Sequence, residues 1–574
     1  MRLPAPVAAI ISGASLHFAF PGWNYEVLVW VWLLPLLSVL WPVRHTAPPV
    51  RRPFLLGWLA GLAFFLPNTA WLRHSARVTH GALDHSWIGW GGELLGAAAV
   101  LGLSGFLALY FGLWSWFAAR VAAPRPAKIS HGTATESTVE SLRCALLCAA
   151  AWCATEWLRG WVLTGFGWNG LGVALHKNWS LIQIADTVGV SGLAFLPVFI
   201  ACVGWVNVQR LVRHWAGMST VRARLDFTLA LVLLLACALH GTWQLRKPSH
   251  PNDIPVRALL VQPNIAQVTR WTADSPALLE MYRQLDERTR LYAEERDGQA
   301  AIDLVAWPES AVPVPLDYNP DDLEFHRSFF DSVLGSGPFA LITGADTMGE
   351  NGGSHNSAIL FQGGFDHHQR YHKTHLVPFG EYLPFREEIA FMETLFGDIL
   401  PGDFRPGKVT EPLTFRTASE PPAEVQVIPL ICFEDTVGRV ARKFIRPAPQ
   451  ILANITNDGW FLQSDETEIH LANSIFRCIE LRRPMLRAAN TGVSAFIDDR
   501  GRVVSRLDDP VTGSSFIEGC LPGVMHAPVD APITFYARYG DVFSLSCLAL
   551  VSMLGAIHLA RSRRERRAAV TPTA

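Results

Sequence analysis

The chain has 574 residues, half of them hydrophobic and 17% charged, with 21 Trp and a mean hydropathy of +0.21. Such a composition excludes an ordinary soluble protein, and a formal net charge of −2 removes any global case for nucleic-acid binding.

The apolar runs are unevenly spread. Residues 1–245 carry nearly all of them, residues 246–540 read as a water-soluble domain, and one more run follows. A membrane span needs about 20 mostly apolar residues. Eight stretches qualify, over 5–20, 26–42, 54–72, 88–117, 144–163, 189–208, 227–244 and 542–560. The first is short and interrupted by Gly13, and it lacks an A-x-A-like cleavage site. A second span follows at once, so the first reads as a span rather than a signal peptide. The expected organisation is a transmembrane domain over 1–245 with seven helices, a catalytic domain over 256–524, a last span over 541–560 and a basic tail over 561–574.

Orientation follows from the Lys/Arg bias of short loops. With the N-terminus inside, the inner side receives Arg2, Arg44, Arg51, Arg52, Arg120, Arg125, Lys128, Arg143, Arg210, Arg213, Arg222 and Arg224. The tail adds Arg561, Arg563, Arg564, Arg566 and Arg567. The outer short loops hold only Arg73, Arg77 and Lys177, with Arg159 at a helix end. Both termini are therefore expected inside, with residues 246–540 outside. Glu93 falls inside an apparent span, and Glu156 and Arg159 are spaced to meet on one helix face. The Gly- and aromatic-rich loop 164–172, with Trp168, is either a lipid-facing entrance or part of an interfacial aromatic belt.

From Val256 onward short apolar strands alternate with helical stretches, which predicts an α/β or α+β sandwich. Strands are expected over 256–262, 304–307, 339–345, 357–361, 425–432, 450–455 and 493–497, with a polar helix near 275–296. Asp498-Asp499-Arg500-Gly501-Arg502 is a hairpin-like turn signal.

Three strand ends carry chemistry: Trp307-Pro308-Glu309, Lys373 in Tyr371-His372-Lys373-Thr374-His375, and Cys432 in Ile431-Cys432-Phe433-Glu434. A thiol is a weak nucleophile at neutral pH and needs a base or a positive neighbour. Glu309 can take the proton. Lys373 can hold the thiolate and then an oxyanion, with the N–H after Cys432 as a second donor. Read singly, each residue has an ordinary structural role. Nine Cys are present, six of them in or beside the apolar runs, leaving Cys432, Cys478 and Cys520 in the outer domain. A Cys478–Cys520 disulfide is compatible with that count. His367, His368, His372 and His375 lack metal-ligand spacing and read instead as a solvated loop beside Lys373.

The three motifs together resemble the Glu-Lys-Cys triad of the nitrilase (carbon–nitrogen hydrolase) superfamily. The outer-facing spans, Asn454-Ile455-Thr456-Asn457-Asp458-Gly459-Trp460-Phe461 and Arg487-Ala488-Ala489-Asn490-Thr491-Gly492 narrow the resemblance to the bacterial apolipoprotein N-acyltransferases, across the whole chain. That resemblance implies a polytopic helical bundle of about eight spans bearing an α-β-β-α sandwich. It implies Glu309 as proton acceptor, Lys373 as intermediate stabiliser, Cys432 as nucleophile, and Glu381 and Glu434 as supporting carboxylates. Trp460 and Phe461 would lie on a loop near the lipid entrance; their ordinary alternative is core packing. The implied reaction passes an acyl chain from a phospholipid, phosphatidylethanolamine at its sn-1 position, through a Cys432 thioester to the α-amine of a diacylglyceryl-cysteine. It needs neither metal nor organic cofactor, and it places the chain in a bacterial inner membrane with a periplasmic catalytic domain. Phe433 stands where the family often has Tyr, and Gly167 where Pro is common. A tethered amidase would share the triad without a lipid mouth, and a scaffold or transporter would not need it.

Overall fold

The computed structural model describes residues 3–43, 50–75, 89–125, 133–217, 224–248, 252–266, 275–294, 301–312, 314–317, 320–349, 352–386, 403–461 and 464–570. The chain divides into two compact units. One comprises residues 1–70, 98–245 and 541–574, the other residues 71–97 and 246–540.

The first unit is helical. Among the described residues four helices are long and apolar enough to cross a membrane: Gly96–Arg120, Phe195–Trp215, Leu225–Arg246 and Val542–Glu565. Ala5–His17, Leu28–Leu40 and Pro53–Asn68 are apolar but shorter. The stretch expected over 144–163 is helix Ala134–Arg159, which starts earlier because Thr133 and Glu136 form a capping box. Gly13, read from sequence as a weakness, is a packing site. A Cβ there would lie 1.9 Å from the Ala60 carbonyl oxygen, so only glycine lets helices Ala5–His17 and Pro53–Asn68 approach this closely.

Arg210 and Arg213, counted in the sequence as loop charges, are buried. Arg210 pairs with Asp226 at 2.8 Å and donates to the Ser137 carbonyl, while Arg213 donates to the Val43 carbonyl. They tie helices together. Glu156 and Arg159 hold the following loop: Glu156 accepts the Leu171 N–H at 2.6 Å, and Arg159 donates to the carbonyls of Phe166 and Trp168. The Glu93 side chain lies outside the described residues.

The second unit is a two-sheet sandwich. One sheet has the order β12-β1-β2-β3-β4-β5 and the other β11-β10-β9-β8-β7-β6. The strands are β1 Ile254–Gln262, β2 Leu304–Ala306, β3 Ala340–Met348, β4 Ser354–Phe361, β5 His368–His372 and β6 Leu413–Arg416. They continue with β7 Glu424–Ile431, β8 Gln450–Thr456, β9 Met485–Ala489, β10 Ala495–Ile497, β11 Val503–Arg506 and β12 Gly519–Ala527. The parallel strands β2, β8 and β9 are buried at every position, as strands covered on both faces must be. Helices Ser275–Glu294 and Pro320–Leu334 cover the first sheet, packing Tyr282, Leu285, Phe330 and Val333 onto Leu259, Val305, Leu341 and Ile359. Helix Glu466–Leu481, buried at every position but Glu468, lies in the layer of the second sheet.

Sequence periodicity misses β5, β6, β9 and β11, which are short, and β12, which Pro522 and Gly523 interrupt. The expected solvated histidine loop is largely β5, paired antiparallel with β4, and the lysine after it is buried. Asp498 and Gly501 do close the turn between antiparallel β10 and β11. Cys478 and Cys520 are both free thiols, so no bridge joins them.

Candidate active site

Three strand ends from the two sheets carry the site at one edge of the sandwich. Glu309 follows β2, Lys373 follows β5 and Cys432 follows β7. Cys432 turns sharply from strand into a short 3-10 helix with φ of 51°, a left-handed conformation that costs a non-glycine residue energy and lifts its side chain out of the strand row. Ser310, after Glu309, has φ of 48°. The turn at Glu309 presses on β3 at Gly344, where a Cβ would lie 2.6 Å from Glu309 Cα and 2.5 Å from Ser310 N.

Lys373 is 1% exposed. Its Nζ lies 2.8 Å from Glu381 Oε1 and 3.7 Å from Glu309 Oε1. Asn356, inside β4, donates from one Nδ2 to both carboxylates, at 2.9 Å to Glu309 and 3.0 Å to Glu381. Glu381 Oε2 accepts the Val377 N–H at 2.7 Å, closing its loop on itself. Glu434 works as a staple. Its Oε1 accepts from the Tyr371 hydroxyl, the Thr374 N–H and hydroxyl and the His375 N–H, and its Oε2 accepts the Ile431 N–H. The lysine loop and the cysteine elbow are thereby fixed together.

Burial raises the Glu309 carboxyl above its usual range, Lys373 pulls it back, and Glu381 raises it again. Burial opposes the Lys373 ammonium, but Glu381, Glu309 and Cys432 outweigh it and raise its pKa, so the amine stays charged. Burial and the Glu309 carboxylate push the Cys432 thiol well above its ordinary value, against the pull of Lys373 and the Thr456 hydroxyl. At rest, burial thus favours a neutral thiol beside the Glu309 carboxyl, with a fixed ammonium near both. That arrangement suits proton transfer coupled to nucleophilic attack.

The structure brings Glu309, Lys373, Cys432, Glu381 and Glu434 together. Trp460 is half-buried, and its carbonyl accepts the Ser75 hydroxyl at 2.8 Å. Phe461 is buried edge-on against Trp71, with ring centres 4.8 Å apart. Trp168 belongs to the helical unit and is 2% exposed beside Phe166, so its ring is packed and does not present a lipid-facing surface. Asn356 is the functional-site residue that sequence reading misses; an amide inside the apolar run Ala358-Ile359-Leu360-Phe361 and its approach is the available signal. Among the described residues no cluster of His, Cys, Asp and Glu is arranged to hold a metal.

Residues 12–203 match the family described as apolipoprotein N-acyltransferase N-terminal domain, and residues 258–517 match carbon-nitrogen hydrolase. The chain is 30% identical to an apolipoprotein N-acyltransferase of Geobacter metallireducens, over 96% of this chain and 95% of that protein. It is 32% identical to the protein of that name from Rhodopseudomonas palustris, covering 96% and 94%. It is also 32% identical to the one from Bordetella bronchiseptica, covering 98% of both.

Proposed function

The chain belongs to the apolipoprotein N-acyltransferase family, and we propose that it moves an acyl chain from a phospholipid to the N-terminal amine of a diacylglyceryl-cysteine lipoprotein. The observation that carries the reading is the buried Lys373 ammonium held between Glu381 and Glu309 beside the Cys432 elbow. In the first half-reaction Cys432 Sγ attacks the ester carbonyl while its proton passes to Glu309. The oxyanion forms against Lys373 and the Phe433 N–H. The C–O bond breaks, Glu309 returns the proton to the leaving oxygen, and a lysophospholipid departs from a Cys432 thioester. In the second half-reaction the α-amine attacks that thioester, Glu309 takes the amine proton, and the amide leaves with the thiol restored.

The donor in this reading is phosphatidylethanolamine, acylated at sn-1, and no cofactor takes part. Residues 1–245 and 541–560 form the membrane domain of a bacterial inner-membrane protein. Residues 256–524 are the periplasmic catalytic domain, and both termini, with the basic tail 561–574, are cytoplasmic. The Lys/Arg asymmetry of the short loops supports that orientation. Trp460 and Phe461 border the lipid entrance, and their apolar surroundings exclude water that would hydrolyse the thioester. The test uses full-length protein in micelles with phosphatidylethanolamine and a diacylglyceryl-cysteine peptide. C432A, E309Q and K373M are each expected to abolish amide formation, whereas full activity in C432A overturns the reading.

A further inference from the structure

The mechanism above leaves a buried ionic cluster unused. Asp435, Asp458, His470 and Arg487 are each 0% exposed. His470, on helix Glu466–Leu481, bridges two carboxylates. Its Nε2 lies 2.9 Å from Asp435 Oδ1, and its Nδ1 lies 2.9 Å from Asp458 Oδ1. Arg487 Nη2 reaches Asp458 at 3.2 and 3.1 Å and also sits 2.8 Å from His470 Nδ1. The Ser474 hydroxyl donates to Asp435 Oδ2. Both ring nitrogens face a buried carboxylate, which favours a positive charge on His470, and Arg487 Nη2 beside Nδ1 opposes it. Burial opposes that charge, but Asp435 and Asp458 outweigh it, against Arg487, and raise the pKa to about 9.

The cluster lies directly behind the nucleophile. Strands β7 and β8 are parallel, with Ile431 opposite Ile455, so Thr456 at the end of β8 stands alongside Cys432. Asn454 donates to the Cys432 carbonyl at 3.1 Å and fixes the two strand ends. Thr456 is fully buried, and its hydroxyl lies 3.3 Å from Asp458 Oδ1. That contact is long, and the oxygen already receives His470 and Arg487. The Thr456 hydroxyl is one of the groups that favour the Cys432 thiolate. As the thiol ionises, a negative sulfur competes well against a carboxylate oxygen that two cations already satisfy.

We infer that Thr456 is a further catalytic residue, its hydroxyl turning to donate to Cys432 Sγ as the thiol proton leaves for Glu309. Asp435, His470, Asp458 and Arg487 are the positioning frame, keeping Asp458 satisfied so that the hydroxyl is available. Thr456 keeps its proton throughout. The charged groups facing the sulfur are Glu309, Lys373 and Asp458. The inference rests on Cys432 being the nucleophile.

The test measures the rate of Cys432 alkylation by iodoacetamide in full-length protein in micelles, between about pH 6 and 10. Labelling is assigned to Cys432 by peptide mass, with C432A as the control. T456V is expected to slow alkylation roughly tenfold across that range, the size of one lost hydrogen bond. T456S is expected to restore the rate. H470Q should slow alkylation similarly, and T456V/H470Q should be no slower than either single variant, because the two act through one hydroxyl. Wild-type alkylation in T456V overturns the inference, as does a T456S that fails to rescue. Multiplicative losses in the double variant overturn the positioning role. If H470Q does not fold, the T456V and T456S pair decides alone. Transferase turnover surviving in C432A would instead defeat the nucleophile assignment, leaving the Thr456 effect on thiol reactivity separately measured.

Discussion

Glu434 holds Thr374 twice, accepting its backbone N–H at 2.8 Å and its hydroxyl at 3.0 Å on the same oxygen. One residue lies two positions after the cysteine and the other one position after the lysine, so the bond pair sets the distance between nucleophile and cation. Glu434→Gln replaces one acceptor oxygen by an amide that must face N–H or O–H donors. The expected cost is roughly 3 kcal/mol of stability, the scale for breaking a buried charged network. Thermal unfolding in micelles checks it; an unchanged melting temperature contradicts the staple.

Asn356→Leu removes the donor shared by Glu309 and Glu381. The two carboxylates then share only Lys373, and Glu309 loses its orientation. The turnover of the acyl-transfer assay is expected to fall about 10- to 100-fold, from one or two lost hydrogen bonds to charged groups. The lipid concentration for half-saturation should change little, because Asn356 touches the acid–base pair and not the aromatic turn.

Gly344→Ala places a methyl against the backbone of Pro308, Glu309 and Ser310. The Glu309 turn must shift by several tenths of an ångström. Turnover is expected to drop at least tenfold, as proton transfer demands hydrogen-bond distance. The same substitution at Gly555, with open space around its Cβ position, should be silent.

His470 makes stability depend on pH. Its pKa is raised to about 9 in the folded chain, against about 6.5 for a free imidazole. A raised pKa means that the folded state binds the proton more tightly. The contribution is full below the unfolded value and is lost as pH rises through about 9. The melting temperature should therefore fall between neutral pH and that point, and H470Q should melt lower with a flatter profile over the same interval.

Much of this site is legible in the sequence because three of its residues sit in contiguous signatures at strand ends, around Glu309, Lys373 and Cys432. Asn356 is not, because it lies mid-strand and meets Glu309 only through the pairing of β4 with its neighbours. His470 escapes for a similar reason. A histidine in a helix has no local mark of two carboxylates from distant turns. The apolar runs announce the helical unit well, yet Arg210 shows the limit of charge counting: its guanidinium is committed to Asp226 inside the bundle. The short strands β5 and β11 carry too few apolar residues to signal themselves.

The most direct test is the intact mass of the purified full-length protein after incubation with phosphatidylethanolamine, beside C432A. One acyl chain should add to the wild type and none to C432A, and a diacylglyceryl-cysteine peptide should discharge it as an amide. An adduct that water removes as fast as the peptide does, or one that persists in C432A, would contradict acyl transfer through Cys432.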